Sequence, residues 1–329
     1  MEKLTKENYY SYPALSNSMM SWLLPENGGS MKKFEDKMLF PQEEGDSASM
    51  RLGTLIHKYV EQKTYDVFQI CDVPSPAIAK ICESIAEDGI TDLDSQILST
   101  ARALDFQPGW KDQTVIDKIK EQGSAYLANI MDAKSKNKSL VTESEMNLIK
   151  KIGDNICEVI PWNFSTSPDV PSDISPRFEK SSPFPSVIYN EKAINFVLDG
   201  IECKGLIDIA IINPIDDSVT IIDLKTTSTP LSLFEGYKMH EITKEGIREN
   251  QVEGIMYKRQ VHRQLAFYGM GLATLNYRVS NYFVLVAETE APYEVKLVRV
   301  PDNYIELGTI RIRQALDLII HNSLMKTGL

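Results

Sequence analysis

At 329 residues, 43% hydrophobic and 25% charged, the chain is long enough to bury a sizeable core and has ordinary globular composition. It has no apolar run able to span a bilayer and no basic-then-apolar leader, which argues against membrane-embedded or secreted readings and places the chain in a cytoplasm. A net charge of −11 excludes an all-over basic coat for nucleic acid, yet a few well-placed cations suffice to neutralise phosphates in a groove.

In chain order, the first predicted helix covers residues 13–24, with Ser16 as N-cap before Met19, Met20, Trp22 and Leu23. Residues 26–30 (Glu-Asn-Gly-Gly-Ser) read as a loop. Residues 49–62 predict a helix carrying Gly53 and His57, followed by a short strand over 65–70. From 74 to 161 the periodicity is helical, at 77–86, 96–104, 114–133 and 143–159, with a polar loop at 134–138. This block reads as a helical insertion. Residues 162–186, rich in Ser and Pro, read as an irregular connection.

A sheet core is predicted over 187–300. Strands at 187–199 and 202–213 form a hairpin about Asp199-Gly200, and a third strand runs over 218–225. The polar stretch 238–253 lacks apolar periodicity and reads as a mobile segment. A helix over 256–275, strands at 280–288 and 293–300, and a final amphipathic helix over 302–322 complete the chain. No internal repeat is visible. Cys71, Cys82, Cys157 and Cys203 form no C-x-x-C pair, so they read as free thiols rather than as a zinc site.

The chemistry-bearing residues sit in the sheet. Asp208 lies in one strand, and Asp223-Leu224-Lys225 ends the next. Side chains two apart share a strand face, so Lys225 lies beside Asp223 while Leu224 points to the other side. Two carboxylates with a neighbouring ammonium suit a hard cation such as Mg²⁺ and hydrolysis of a phosphodiester. Alone, Asp-x-Lys is more often a solvated ion pair. Basic residues gather near the motifs: Arg51 and Lys58 near His57, Lys204 near Asp208, and Lys258, Arg259 and Arg263 near Gln264. These serve a phosphate backbone or simply solvate helix faces. His57 reads as a boundary residue or a ligand, and Gly53 as a packing or close-approach glycine. Gln264 and Tyr268, four apart, share a helix face.

The ordered series of Gly53-x-x-x-His57, Asp208, Asp223-x-Lys225 and Gln264-x-x-x-Tyr268 resembles the RecB-like branch of the PD-(D/E)XK nuclease superfamily. The opening Tyr9-Tyr10-Ser11-Tyr12-Pro13-Ala14-Leu15-Ser16-Asn17-Ser18 and the later Val286–Val295 are similar to RecE-type, exodeoxyribonuclease VIII-like exonucleases of phages and prophages. The resemblance covers roughly residues 9–322. It implies a single nuclease domain of α/β (α+β) class, 1–329, whose restriction-endonuclease-like core is a mixed central sheet flanked by helices, with 74–161 inserted. It implies catalysis by Asp208, Asp223 and Lys225, with Glu191 completing the carboxylates, although Glu179 and Glu202 compete for that place. His57 would join Asp208 and Asp223 around Mg²⁺, with Mn²⁺ as substitute. Gly53, Gln264, Tyr268, Arg51, Lys258 and Arg263 would contact DNA or support the site.

The implied activity is metal-dependent exonucleolytic hydrolysis of linear duplex DNA in phage-type recombination or DNA processing, inside a bacterial or phage-infected cell. A ring-forming homo-oligomer and a single-strand annealing partner are part of the same implication. Related nucleases carry an iron–sulfur cluster on one early and three late cysteines. Here no cysteine follows Cys203, so no cluster is expected. Open alternatives are a structure-specific or non-specific endonuclease of the same fold, a non-catalytic DNA-binding scaffold, and a partner-binding accessory subunit.

Overall fold

The computed structural model describes residues 3–39, 47–62, 64–159, 187–213, 216–243 and 246–327. The chain divides into two compact units, one formed by Met1–Asp46 with Asp154–Leu329 and the other by Ser47–Gly153.

The larger unit opens with α1 (Asn17–Met20) and α2 (Met31–Leu39). The helix expected over 13–24 is therefore only four residues long. Pro13 lacks a donor and biases its neighbours toward extended backbone. Leu15 instead joins a strand: its N–H donates to the Glu202 carbonyl (3.0 Å) and its carbonyl accepts from the Lys204 N–H (2.8 Å). The apolar residues behind the helix prediction are still core, with Met20, Leu23 and Leu24 fully buried. α2 was not expected, because five charged residues mask the face through which Met31 and Phe34 pack on the core.

The smaller unit contains α3 (Ala48–Gln62), β1 (Phe68–Ile70), α4 (Pro76–Asp88), α5 (Leu93–Ala103), α6 (Asp112–Ser135) and β2 (Ser139–Val141), then the start of α7 (Glu143–Val159). The helices fall where the apolar spacing placed them. In α4, Ile78, Ile81, Cys82 and Ile85 share a buried face, which packs on Ile116, Ile119, Tyr126 and Leu127 of α6. Gly123 allows the close crossing, since a Cβ there would lie 2.7 Å from the Cys82 sulfur. The strand expected over 65–70 shortens to β1, because Thr64 accepts from the Asp66 N–H and caps a 3-10 turn over Tyr65–Val67. β1 pairs in parallel with β2, which the sequence did not announce.

The sheet belongs to the larger unit. It is built from β3 (Val187–Leu198), β4 (Ile201–Ile212) and β5 (Ser218–Thr227). After the β6 (Gly236–Thr243) and β7 (Gly246–Glu253) hairpin come α8 (Ile255–Lys258), α9 (Val261–Thr274), β8 (Arg278–Glu288), β9 (Val295–Arg299) and α10 (Asp302–Thr327). The strand order is β3-β4-β5-β8-β9, antiparallel except for the parallel pair β5–β8. This is the mixed α/β architecture expected from the sequence. Asp199 and Gly200 take φ of 48° and 82°, the left-handed pair a two-residue hairpin requires. A parallel pair needs a crossover, and the segment from β6 to α9 supplies it.

Two expectations change here. The stretch 238–253, read as mobile, is the β6–β7 hairpin. Cross-strand backbone pairing needs no apolar periodicity. The helix expected over 256–275 breaks between α8 and α9, where Gln260 adopts φ 57°. The irregular connection expected over 162–186 lies outside the described residues. α9 lies on the sheet through Leu265, Tyr268 and Leu272, with Phe267 packed 5.0 Å from Phe196. α10 packs on α9, where Gly308 permits contact: a Cβ there would stand 2.7 Å from the His262 carbonyl.

Candidate active site

The site lies where the sheet forks. β4 and β5 pair only from Ile209↔Ile222 to Ile212↔Val219, so Asp208 and Asp223 stand level at the step where the ladder ends. Beyond it β5 continues with β8 alone, to Thr227↔Glu288. The Asp208 carboxylate occupies the gap, its Oδ2 accepting the Leu224 N–H at 2.8 Å. That bond gives the strand amide the partner that the departing β4 no longer supplies. On the other side, β3 pairs with β4 at Asn190↔Ile209 and Lys192↔Ile207, skipping Glu191 and Asp208. Glu191, Asp208 and Asp223 are thus level across three strands.

Asp223 is fully buried, and Lys225 stands beside it with its ammonium 2.7 Å from Asp223 Oδ2. Leu224 is buried on the opposite face, as strand alternation requires. Burial raises the Asp208 carboxyl above its usual range, and the Glu191 charge adds to this; Lys225 and the Leu224 N–H work the other way. Burial alone would lower the Lys225 ammonium. The charges of Asp223 and Asp208 outweigh burial and hold it above its usual value, while Arg259 pulls it down. Arg259 is exposed and near enough to act on Lys225, so it is the cation of the 258–263 basic stretch that bears on the site.

Tyr268 of α9 closes the inner side. Gln264 Nε2 donates to its hydroxyl at 2.8 Å. The ring rests on Gly205 of β4, where a Cβ would lie 3.0 Å from Tyr268 Cδ1. Burial and then the Asp223 and Asp208 charges push this hydroxyl well above the ordinary phenol range. The structure therefore brings together Asp208, Asp223, Lys225, Glu191, Gln264 and Tyr268.

Arg263 is 3% exposed, and its guanidinium donates to the side chain and carbonyl of Asn17. Lys204 is 2% exposed and donates to the carbonyls of Tyr9 and Tyr12. Both are interior cations rather than groove cations. Lys258 is exposed on α8. Gly53, His57 and Arg51 belong to the smaller unit: Gly53 is buried in α3, His57 is half-buried one turn on, and Arg51 binds Glu145 (3.1 Å) and the Leu140 carbonyl (2.7 Å). Lys58 there donates to Ser139 (3.0 Å). Lys6, which no motif flagged, is ion-paired to Glu191.

Among the described residues, no three His, Cys, Asp or Glu side chains converge as a ready metal group. The donor chemistry nonetheless fits a hard divalent cation. Asp208 and Asp223 offer paired carboxylate oxygens, level on neighbouring strands beside the Lys225 ammonium. Cys71, Cys82 and Cys203 are buried free thiols, and burial pushes Cys82 to about 11 and Cys203 to about 12. No helix among the described residues is long and apolar enough to cross a membrane.

No protein-family model and no curated protein matches this chain. A solved structure shares its fold. It is the crystal structure of a "putative exonuclease" from Eubacterium rectale, with TM-score 0.50 and 13% identity over 97% of this chain and 87% of that one. At that identity the likeness speaks for the fold alone. A second structure, SSO0001, has TM-score 0.23 and 10% identity over 74% of this chain and 84% of that one, and carries no argument.

Proposed function

We propose that the chain is a metal-dependent deoxyribonuclease, acting as an exonuclease on linear DNA. The observation that carries this reading is the fork in the sheet, where Asp208 and Asp223 meet beside Lys225 with Tyr268 and Gln264 behind them. The resemblance to RecE-type enzymes and the shared fold with a protein described as an exonuclease point the same way. Asp208 and Asp223 would hold Mg²⁺ or Mn²⁺, with Glu191 as a further ligand the resemblance implies. Bound there, the cation supplies positive charge that polarises the scissile phosphate and acidifies a nearby water. Lys225 orients that water and offsets charge developing on the phosphate. The Tyr268 hydroxyl, accepting from Gln264, lies near enough to the carboxylates to feel their charge and bounds the site on its inner side. Cleavage would leave a 5′-phosphate and a 3′-hydroxyl.

The same reading places the protein in a bacterial or phage-infected cytoplasm, in recombination or DNA processing, with ring assembly and a single-strand annealing partner as its finer parts. An endonuclease of the same fold is the second reading, because one carboxylate–lysine site serves both modes. End-labelled linear duplex and covalently closed circular DNA, each incubated with Mg²⁺, separate them. Progressive loss of the linear DNA, an intact circle and no cutting by Lys225→Ala support the exonuclease. Internal cutting of the circle selects the endonuclease, and full activity in Lys225→Ala removes the assigned site.

A further inference from the structure

We propose that Lys6 is a built-in competitor for the cation: its ammonium occupies Glu191, the third carboxylate of the site, and must leave before Glu191 can join Asp208 and Asp223 as a ligand. This rests on the reading that the site holds a divalent cation.

Glu191 is level with Asp208 across β3 and β4, and its charge acts on the Asp208 carboxyl. Its backbone is at φ 47° in mid-strand, which is uncommon for a residue with a Cβ. Such strain persists where the surroundings enforce it, and it gathers at functional positions. Yet the carboxylate is turned to Lys6.

The segment bearing Lys6 is fixed by β4 itself. Lys204 donates to the carbonyls of Tyr9 (2.6 Å), Tyr10 (3.3 Å) and Tyr12 (2.7 Å), and its ammonium lies 5.0 Å from the centre of the Tyr9 ring. The strand that carries Asp208 thus also places Lys6. Because Lys204 already anchors the segment, the Lys6–Glu191 pair is not needed to hold it. The pair is also loose at its outer end, with side-chain exposures of 37% for Lys6 and 17% for Glu191. The ammonium is the more exposed partner, so it can turn to water while the anchored turn stays in place. A cation offers Glu191 a second charge in exchange for the one it loses.

Calorimetric titration with Ca²⁺ tests this without turnover, on the full chain and its Lys6→Met, Lys6→Arg, Glu191→Gln and Lys6→Met/Glu191→Gln variants. Lys6→Met should bind Ca²⁺ roughly two- to fivefold more tightly than wild type, the size expected for losing such a pair. Lys6→Arg should behave as wild type and Glu191→Gln should bind more weakly. In the Glu191→Gln background, Lys6→Met should have no effect. Unchanged or weaker binding by Lys6→Met, or the same gain without Glu191, overturns the proposal. If wild type binds Ca²⁺ and Asp223→Asn does not while the Lys6 cycle is flat, the cation reading stands and this inference alone falls. If neither wild type nor Lys6→Met binds Ca²⁺, both fall.

Discussion

Asp208 shows how the site works against the fold. Its carboxyl is raised by burial, so the folded state holds the proton more tightly than the unfolded chain. Its contribution to stability is therefore present at low pH and is lost as pH rises through the raised value. Asp208→Asn keeps an oxygen for the Leu224 N–H and removes the charge. The variant should melt higher than wild type by roughly 2–4 °C at pH 8, with the gain shrinking toward pH 4, and should not cleave DNA. Melting curves across pH decide this, and a lower melting temperature at pH 8 would remove the argument. The sequence placed Asp223 at a strand end, and the structure buries it completely. Removal of Lys225 thus leaves carboxylates without their counter-ion, and Lys225→Met should lose more stability at pH 8 than at pH 5. A pH-independent loss would show that the lysine does not offset the carboxylates.

At the scale of elements, α9 and its flanks carry the clearest test. His262, at the start of α9, has no exposed surface and packs against the rings of Tyr257 and Tyr304. Burial and then the Arg263 charge lower its pKa to about 4. A depressed value means that its contribution to stability is intact above the unfolded value of 6.5 and is lost as pH falls toward 4, by roughly 3 kcal/mol at most. His262→Phe keeps a flat ring against both tyrosines. It should flatten the decline in stability between pH 6.5 and 4 in urea titrations, and an unchanged slope would assign that decline to other groups. The β3–β4 hairpin gives a second check. Gly200 has φ 82°, where a Cβ is strained, so Gly200→Ala should cost about 1 kcal/mol in the same titrations without altering the site residues.

For the whole molecule, a net charge of −11 leaves little general attraction for DNA, so binding must rest on local cations. Arg259 is exposed and acts on Lys225, while Arg263 is buried against Asn17. Arg259→Ala should lower the slope of log affinity against log salt by about one, the loss of one phosphate contact. Arg263→Lys should leave that slope unchanged. Equal slopes for wild type and Arg259→Ala would place the phosphate path elsewhere.

The sequence by itself determined the strands of the sheet, the Asp199-Gly200 turn, the helices of the smaller unit and the pairing of Asp223 with Lys225 on one strand face. Each follows from local rules: period-two alternation, left-handed turn residues and helical spacing of apolar side chains. It misjudged residues 13–16, 238–253 and 259–260. There the pairing of Leu15 with a distant strand, the pairing of two polar strands in one hairpin, and a left-handed break at Gln260 override local pattern. Only the tertiary structure decided that β4 leaves β5 at Asp208, that Arg263 and Lys204 turn inward, and that Lys6 reaches Glu191. Those facts depend on register between strands and on contacts between residues far apart in the chain, which no local spacing encodes.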